Sequence, residues 1–362
     1  MRPSPTLRVN TQYAEGVTSL PRYRTGKDPL DDAIMALIEQ ARLTNNTDLT
    51  FEMMVSALRM GLEHVDRGDM KLVNNSLKEL RYSFHVFETY RSVLKCTIFG
   101  SARTKEDEPE YESARLLGAA MAEREWMVMT GAGPGIMAAG LEGAGTENSF
   151  GINIVLPFEA SANRFIADDP KLINFRYFFT RKLTFMKESS AFASLPGGFG
   201  TMDEAFELLT LMQTGKSAIV PLVLLDPSGS TYWERWRDFV TKELLAAGLI
   251  SPADMDLFLV TDDVEEAADE MTNFYSTYHS SRIVGQRLIL RLKREVTDDE
   301  LVELNGQFAD IINSGLIERI ETTEAETRDD DYVNLHRIAF DFNHHGYSRL
   351  RSLINVLNGQ SS

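Results

Sequence analysis

The chain has 362 residues, 43% of them hydrophobic and 25% charged, with a formal net charge of −17. That balance supplies enough apolar material for two or three packed domains and excludes a disordered or fibrous chain. The acidic charge repels nucleic-acid polymers, and a single cysteine, Cys96, excludes a disulfide framework and fits a reducing compartment. No apolar run reaches the roughly 18 residues of a membrane helix. The first sixteen residues, a polar lead-in, lack the apolar centre of a secretion signal. The expectation is a cytoplasmic protein without a membrane partner.

Residues 1–91 read as that lead-in followed by helices. Leu30–Ala41, Phe51–His64 and Met70–Tyr90 repeat apolar residues at helical spacing, and Gly68-Asp69 reads as a turn between the last two. From residue 92 to 279 short apolar runs alternate with helical ones. The strands are expected at Cys96–Phe99, Trp126–Thr130, Phe150–Leu156, Ala191–Leu195 and Val220–Leu225. The helices are expected at Glu110–Arg124, Ile136–Gly143, Met202–Met212, Trp233–Ala246 and Val264–Tyr275. Strands separated by helices of this length mean βαβ units, and their continuous apolar runs mean strands covered on both faces. The predicted fold is α/β, a doubly wound, Rossmann-like parallel sheet. Residues 280–362 change character again. A strand at Val284–Lys293, a helix from Thr297 with Glu300 as its capping-box partner, strands at Leu316–Thr322 and Leu335–Phe342, and a helix at Tyr347–Leu357 give the order β-α-β-β-α. That order fits a small ferredoxin- or ACT-like α+β module, a candidate for assembly or for binding a small effector. The acidic run Glu324–Asp331 within it reads as a solvated hairpin loop.

Four segments carry chemistry. Pro196-Gly197-Gly198-Phe199-Gly200-Thr201-Met202-Asp203-Glu204 leaves a strand and opens a helix, where glycines and orphan N–H groups make an anion site. No Gly-Lys-Ser/Thr follows, so it is not a P-loop. Thr201 and Glu204 are also spaced as a capping box, which needs no ligand. Thr130–Met137, with Gly131, Gly133 and Gly135, sits at a second strand-to-helix junction. With Gly131, Gly133 and Gly140 as markers it matches the dinucleotide fingerprint imperfectly: no glycine stands three after Gly133, Pro134 intrudes, and Glu159 lies past Pro157 rather than at a strand end. Two such turns in one sheet suggest a mononucleotide and leave a nicotinamide-dependent oxidoreductase as a minor alternative. Arg181 and Lys182 stand at the start of a helix, where cations oppose the dipole unless an anion or Glu204 compensates, or an ordinary surface acid pairs with them. Ser101 and Arg103 follow the first strand of the sheet, where ligands sit in open α/β folds, or form a plain turn. His344-His345 has no Cys or His cluster around it, Ser101 lacks a nucleophile-elbow setting, and Cys96 reads as inert core.

Residues Leu94–Tyr278 resemble the LOG family, the cytokinin riboside 5′-monophosphate phosphoribohydrolases, also labelled "possible lysine decarboxylase". Pro196 through Glu204 match its P-G-G-x-G-T-x-x-E signature, Arg181-Lys182 its arginine-lysine pair, and Gly131–Met137 and Phe99–Arg103 resemble its longer members. The resemblance implies hydrolysis of the N-glycosidic bond of AMP or a related nucleotide, without cofactor or metal. It implies Arg181 and Glu204 as the catalytic pair. Gly197, Gly198, Gly200 and Thr201 would hold the phosphate, with Ser101, Gly133, Gly135 and Lys182 assisting. It also implies a homo-oligomer, at least a dimer. Decarboxylation is not supported, since that chemistry usually needs pyridoxal phosphate on a lysine. An alternative is a non-catalytic binding protein such as a molybdenum-cofactor carrier.

Overall fold

The structure, a computed structural model, describes residues 23–156 and 162–359; the expected lead-in and Glu159 lie outside them. These residues fall into two compact units, 23–81 and 82–359.

The first unit is helical, as the periodicity predicts: α1 (Asp28–Gln40), α2 (Thr47–Leu62) and most of α3 (Arg67–Glu88). Pro29 and two aspartates stand in the first turn of α1, where a proline costs no hydrogen bond and carboxylates meet the positive dipole end. Ile34, Ile38, Phe51 and Val55 form the small core between α1 and α2. The break before α3 falls earlier than expected. His64 takes a positive φ of 58°, and the Asp66 carboxylate accepts the amides of Gly68 (2.5 Å) and Asp69 (3.3 Å). Gly68-Asp69 is therefore the first turn of the helix and not the connection.

The second unit carries the predicted parallel sheet. In chain order its elements are β1 (Lys95–Phe99), α4 (Pro109–Glu123), β2 (Met127–Thr130), α5 (Ile136–Ala144), β3 (Ser149–Ile154), β4 (Leu172–Phe175), α6 (Phe178–Glu188), β5 (Ala191–Ser194), α7 (Phe199–Gln213), β6 (Leu222–Leu225), α8 (Tyr232–Phe239), β7 (Leu259–Thr261) and α9 (Val264–Asn273). The strand order is β4-β3-β2-β1-β5-β6-β7, with every pairing parallel. Cys96 pairs with Val128 on one side and Ala191 on the other, so the winding reverses between β1 and β5. Strands β1, β2, β5 and β6 are buried along their whole length. On one face α4 and α5 meet through glycines. A Cβ on Gly118 would lie 2.2 Å from the Gly140 carbonyl oxygen, and one on Gly143 1.8 Å from that of Arg115. On the other face the last turn of α3 and α6 cover the strands: Phe87 stacks on Phe150 at 4.6 Å, and Phe185 meets Phe99 edge-on at 5.0 Å.

The antiparallel sheet follows: β8 (Tyr278–Val284), β9 (Arg287–Leu292), α10 (Asp298–Gln307), β10 (Ile312–Arg319), α11 (Glu324–Arg328), β11 (His336–Phe342) and α12 (Tyr347–Leu357), in the order β10-β11-β9-β8. From β9 onward the strands and longer helices follow the expected β-α-β-β-α order, with the short α11 inserted between β10 and β11 and β8 added at the edge. Thr297 and Glu300 form the predicted capping box. The acidic run is a correction. Glu324–Arg328 is helical, and Glu326 and Asp331 are buried instead of solvated. Glu326 accepts from Arg291 Nε (2.8 Å) and Arg337 Nε (3.2 Å); Asp331 accepts from Arg291 (2.6 Å) and Arg282 (2.9 Å). Three arginines on neighbouring strands supply the countercharge that makes this burial tolerable. Helix α12 is laced to the parallel-sheet layer: Ser348 bonds to Asp254, Ser352 to Asp256 (2.7 Å), and the Asn358 amide donates to the Phe274 carbonyl (2.7 Å).

Candidate functional site

The loops that leave β1, β2 and β5 converge at the reversal of the winding, where open α/β sheets bind ligands. Ser101 is their meeting point. Its amide donates to the Pro196 carbonyl (3.2 Å), its carbonyl accepts the Ile136 amide (3.1 Å), and its hydroxyl accepts the Arg103 amide (3.1 Å). Gly135 makes the approach possible. It has a φ of +66°, and a Cβ there would lie 2.3 Å from the Ser101 carbonyl oxygen. A Cβ on Gly133 would meet Met137 at 2.7 Å, and the Gly133 carbonyl accepts from the Asn163 side chain (2.9 Å). These two glycines and Ser101 brace one loop against another.

Helix α7 starts at Phe199, three residues before the expected Met202, with Gly198 as N-cap and no side chain capping it. Thr201 is thus the third helical residue and Glu204 the sixth, and the pair is not a capping box. The first intrahelical bond runs from the Met202 amide to the Gly198 carbonyl (3.1 Å). The preceding amides project from the helix start, where the dipole is positive. The glycines divide the work. Gly197 is set by packing, since a Cβ would fall 2.2 Å from Thr201 Oγ1. Gly198 and Gly200 have open space where a Cβ would be, and neither takes a positive φ. Neither backbone nor packing demands glycine there, and the amides of this turn stand at the positive end of the helix dipole.

Arg181 and Glu204 meet beside this cradle. Arg181 is buried in α6, its Nε bound to the Ile152 carbonyl (2.8 Å) and its guanidinium over the Phe185 ring at 5.2 Å. Its outer nitrogen lies where a Cβ on Gly131 would intrude at 2.3 Å, so Gly131 admits the guanidinium. The Arg181–Glu204 ion pair is long, 3.9 Å, which leaves both groups hydrogen-bonding capacity for a guest. Burial raises the Glu204 carboxyl to about 7, against the pull of Arg181 and Lys182. Burial likewise lowers Arg181, with Glu204 opposing it. Lys182, one residue on, points elsewhere: its ammonium sits between Asp203 (2.6 Å) and Glu207 (2.8 Å) of α7. The structure gives it a clamp between α6 and α7, with no free charge for a phosphate.

Helical geometry turns successive residues by about 100°, so Glu204 and Met202 face opposite sides of α7. Met202 lines a pocket of about 450 Å³ with Tyr232, Arg235, Trp236 and Phe239 of α8, away from the Arg181–Glu204 pair. A second pocket of about 500 Å³ lies at the far end of α7, among Gln213, Asp254, His345, Ser348 and Arg349. Cys96 is fully enclosed, its thiol pushed well above its ordinary value by burial. No cluster of three or more His, Cys, Asp or Glu suited to a metal occurs among the described residues, and no described helix is long and apolar enough to cross a membrane. Two further participants carry no motif in the sequence. The Ile152 carbonyl that holds Arg181 has no side-chain signal. Tyr232, whose hydroxyl donates to the Gly197 carbonyl (2.5 Å), is marked only by its place at a helix start beyond a strand's C-terminal end.

The sequence pattern of the family described as "possible lysine decarboxylase" matches residues 127–271. The chain is 32% identical, over 160 residues, to the cytokinin riboside 5′-monophosphate phosphoribohydrolase of Mycobacterium tuberculosis, covering 43% of this chain and 82% of that one. It is 28% identical, over 180 residues, to the pyrimidine/purine nucleotide 5′-monophosphate nucleosidase of Escherichia coli, covering 46% of this chain and 37% of the relative. Among solved structures, the molybdenum cofactor carrier protein of Chlamydomonas reinhardtii aligns with a TM-score of 0.32 at 22% identity, over 48% of this chain and 93% of that one.

Proposed function

The chain belongs to the cytokinin riboside 5′-monophosphate phosphoribohydrolase (LOG) family, and on that premise we propose that it hydrolyses the N-glycosidic bond of AMP or a related nucleoside 5′-monophosphate to free base and ribose 5-phosphate. The observation that carries the reading is one helix start offering bare amides at Gly198–Thr201 and, a turn further on, the buried Glu204 beside Arg181. Four residues of helix span about 6 Å, the scale of the distance from a 5′-phosphate to the anomeric carbon. The relatives described above act, by their names, on nucleoside 5′-monophosphates.

In the proposed mechanism the cradle fixes the phosphate and the bond from C1′ to the base nitrogen breaks, its electron pair leaving with the base. Positive charge grows on the ribose, and the ionised Glu204 stabilises it. Glu204 takes a proton from the water that adds to C1′, and that proton passes on through solvent to the departing base, which regenerates the carboxylate. Arg181 partly offsets the burial that favours the neutral acid and donates to ribose or base. Lys182, held by two carboxylates, does not present the free amine a decarboxylase would use.

The ionised Glu204 is the working form, so kcat/KM falls as pH drops through about 7. The charged groups facing it are Arg181, Lys182, Asp203 and Glu207. Lys182→Met leaves Asp203 and Glu207 uncompensated and moves the acid limb up by about one pH unit. A pH–rate profile checks this, and an unmoved limb would mean that the limb belongs to another group, such as the nucleotide's phosphate.

We further propose a homo-oligomer. Phe178, Phe179, Phe199 and Phe239 stand exposed on α6, α7 and α8, Phe199 at 97%, a cost that a second copy would remove. Light scattering should give at least twice the 40.8 kDa of one chain. The test of the activity is incubation with AMP, GMP, IMP, CMP, UMP and isopentenyl-AMP, followed by chromatography of released base. Binding without any release from all six would instead mark a carrier.

A further inference from the structure

We infer that Tyr232 is a positioning residue of the phosphate cradle, fixing the peptide between Gly197 and Gly198 and thereby setting the affinity for the 5′-phosphate. The inference rests on the functional reading above and names a residue that reading does not use.

The Tyr232 hydroxyl, at the start of α8, donates to the Gly197 carbonyl at 2.5 Å. A trans peptide points its C=O and N–H in opposite directions. Holding the Gly197 oxygen toward α8 therefore aims the Gly198 amide the other way. Glycine on both sides of that peptide leaves it free to rotate, since neither residue has a Cβ to restrict its backbone. An outside tether is what such a peptide lacks, and Tyr232 supplies one.

The tether is itself anchored. Asp226, buried just beyond β6, accepts the Ser230 hydroxyl (2.9 Å) and the Trp233 amide (2.9 Å). Its own amide donates to the Thr261 carbonyl of β7 (2.9 Å). The Ser230 hydroxyl in turn accepts the Tyr232 amide (3.3 Å), and the Tyr232 ring packs edge-on against Trp233 at 5.0 Å. The beginning of α8 is thus pinned to the sheet, and its first residue reaches back to the cradle. A preorganised donor need not reorient when the anion arrives.

The test is Tyr232→Phe, which keeps the ring and its packing and removes one hydrogen bond. A bond of this kind is worth about 3- to 10-fold in an equilibrium. The expected result is a rise in the KM for AMP of that size, an equal rise in the inhibition constant of inorganic phosphate, kcat within about two-fold of the parent, and a melting temperature lowered by no more than a few degrees, roughly the loss of one hydrogen bond. Unchanged KM and phosphate inhibition would overturn the assignment. So would a fall in kcat at constant KM, which would place Tyr232 in the chemistry instead. Calorimetric titration with inorganic phosphate needs no turnover. If the parent protein releases no base, the functional reading fails while the phosphate affinities of parent and variant still decide the role of Tyr232.

Discussion

Glu204→Gln lowers the rate of base release from AMP by about 10²- to 10⁴-fold, the range expected for loss of a positioned general base, and leaves AMP bound. The glutamine keeps the shape of the side chain and can still face Arg181. It can neither hold the negative charge that offsets the growing charge on the ribose nor take the proton of water. Binding survives because, on the proposed reading, the phosphate would rest on main-chain amides at the start of α7, which the substitution does not touch. Chromatography of released base, with calorimetry of AMP binding on the same preparation, separates the two effects. A variant that bound AMP and still released base at the parent rate would remove Glu204 from the mechanism.

The second large effect is on stability and lies far from the proposed chemistry. Glu326→Gln destabilises the protein by about 3–5 kcal/mol at neutral pH, the cost of removing one partner from a buried ion pair. Glu326 is completely buried, and Arg291 and Arg337, its partners, are nearly so. Burial alone would raise the Glu326 carboxyl, but hydrogen bonds from Arg291 and Thr323 outweigh it and hold the group below its ordinary value. A carboxyl lowered in the folded state contributes stability above its unfolded value, and that contribution is lost as pH falls through the folded one. The gap between parent and variant therefore narrows on acidification below the ordinary glutamate range. Urea unfolding at neutral and acid pH measures it. A gap that stayed constant with pH would mean that the charge of Glu326 contributes nothing to the network.

The alternation of apolar runs and helices made the doubly wound sheet legible in the sequence, and helix α12 falls where its periodicity places it. The strands that escaped had weak signals. β4 and β7 are edge strands of four and three residues, too short to show a period. β8, Tyr278–Val284, opens with polar residues and is only partly buried. α7 begins three residues before its apolar pattern indicates because glycine, a poor helix former, lies within its first turn. For the same reason Thr201 and Glu204 looked like a cap. The acidic run at 324–331 misled differently: composition records charge, and the arginines that neutralise Glu326 and Asp331 come from strands distant in sequence. At the candidate site the signature and the Arg181-Lys182 pair were visible as text. The divergence of that pair, Arg181 toward Glu204 and Lys182 toward Asp203 and Glu207, follows from how α6 meets α7. No local pattern encodes that packing.

Cys96 has a practical consequence. It is the one sulfhydryl in the chain, sealed inside β1 with its sulfur 3.4 Å from that of Met271, and burial suppresses the thiolate form through which maleimides and disulfide reagents react. The native protein is therefore already a blank background for thiol labelling. A cysteine placed at a surface position, such as Leu62 on α2 or Val302 on α10, would carry a fluorophore or spin label alone, with no residue to remove first. Pairs of such labels turn the arrangement of the helical segment and the two sheets into distances measurable in solution.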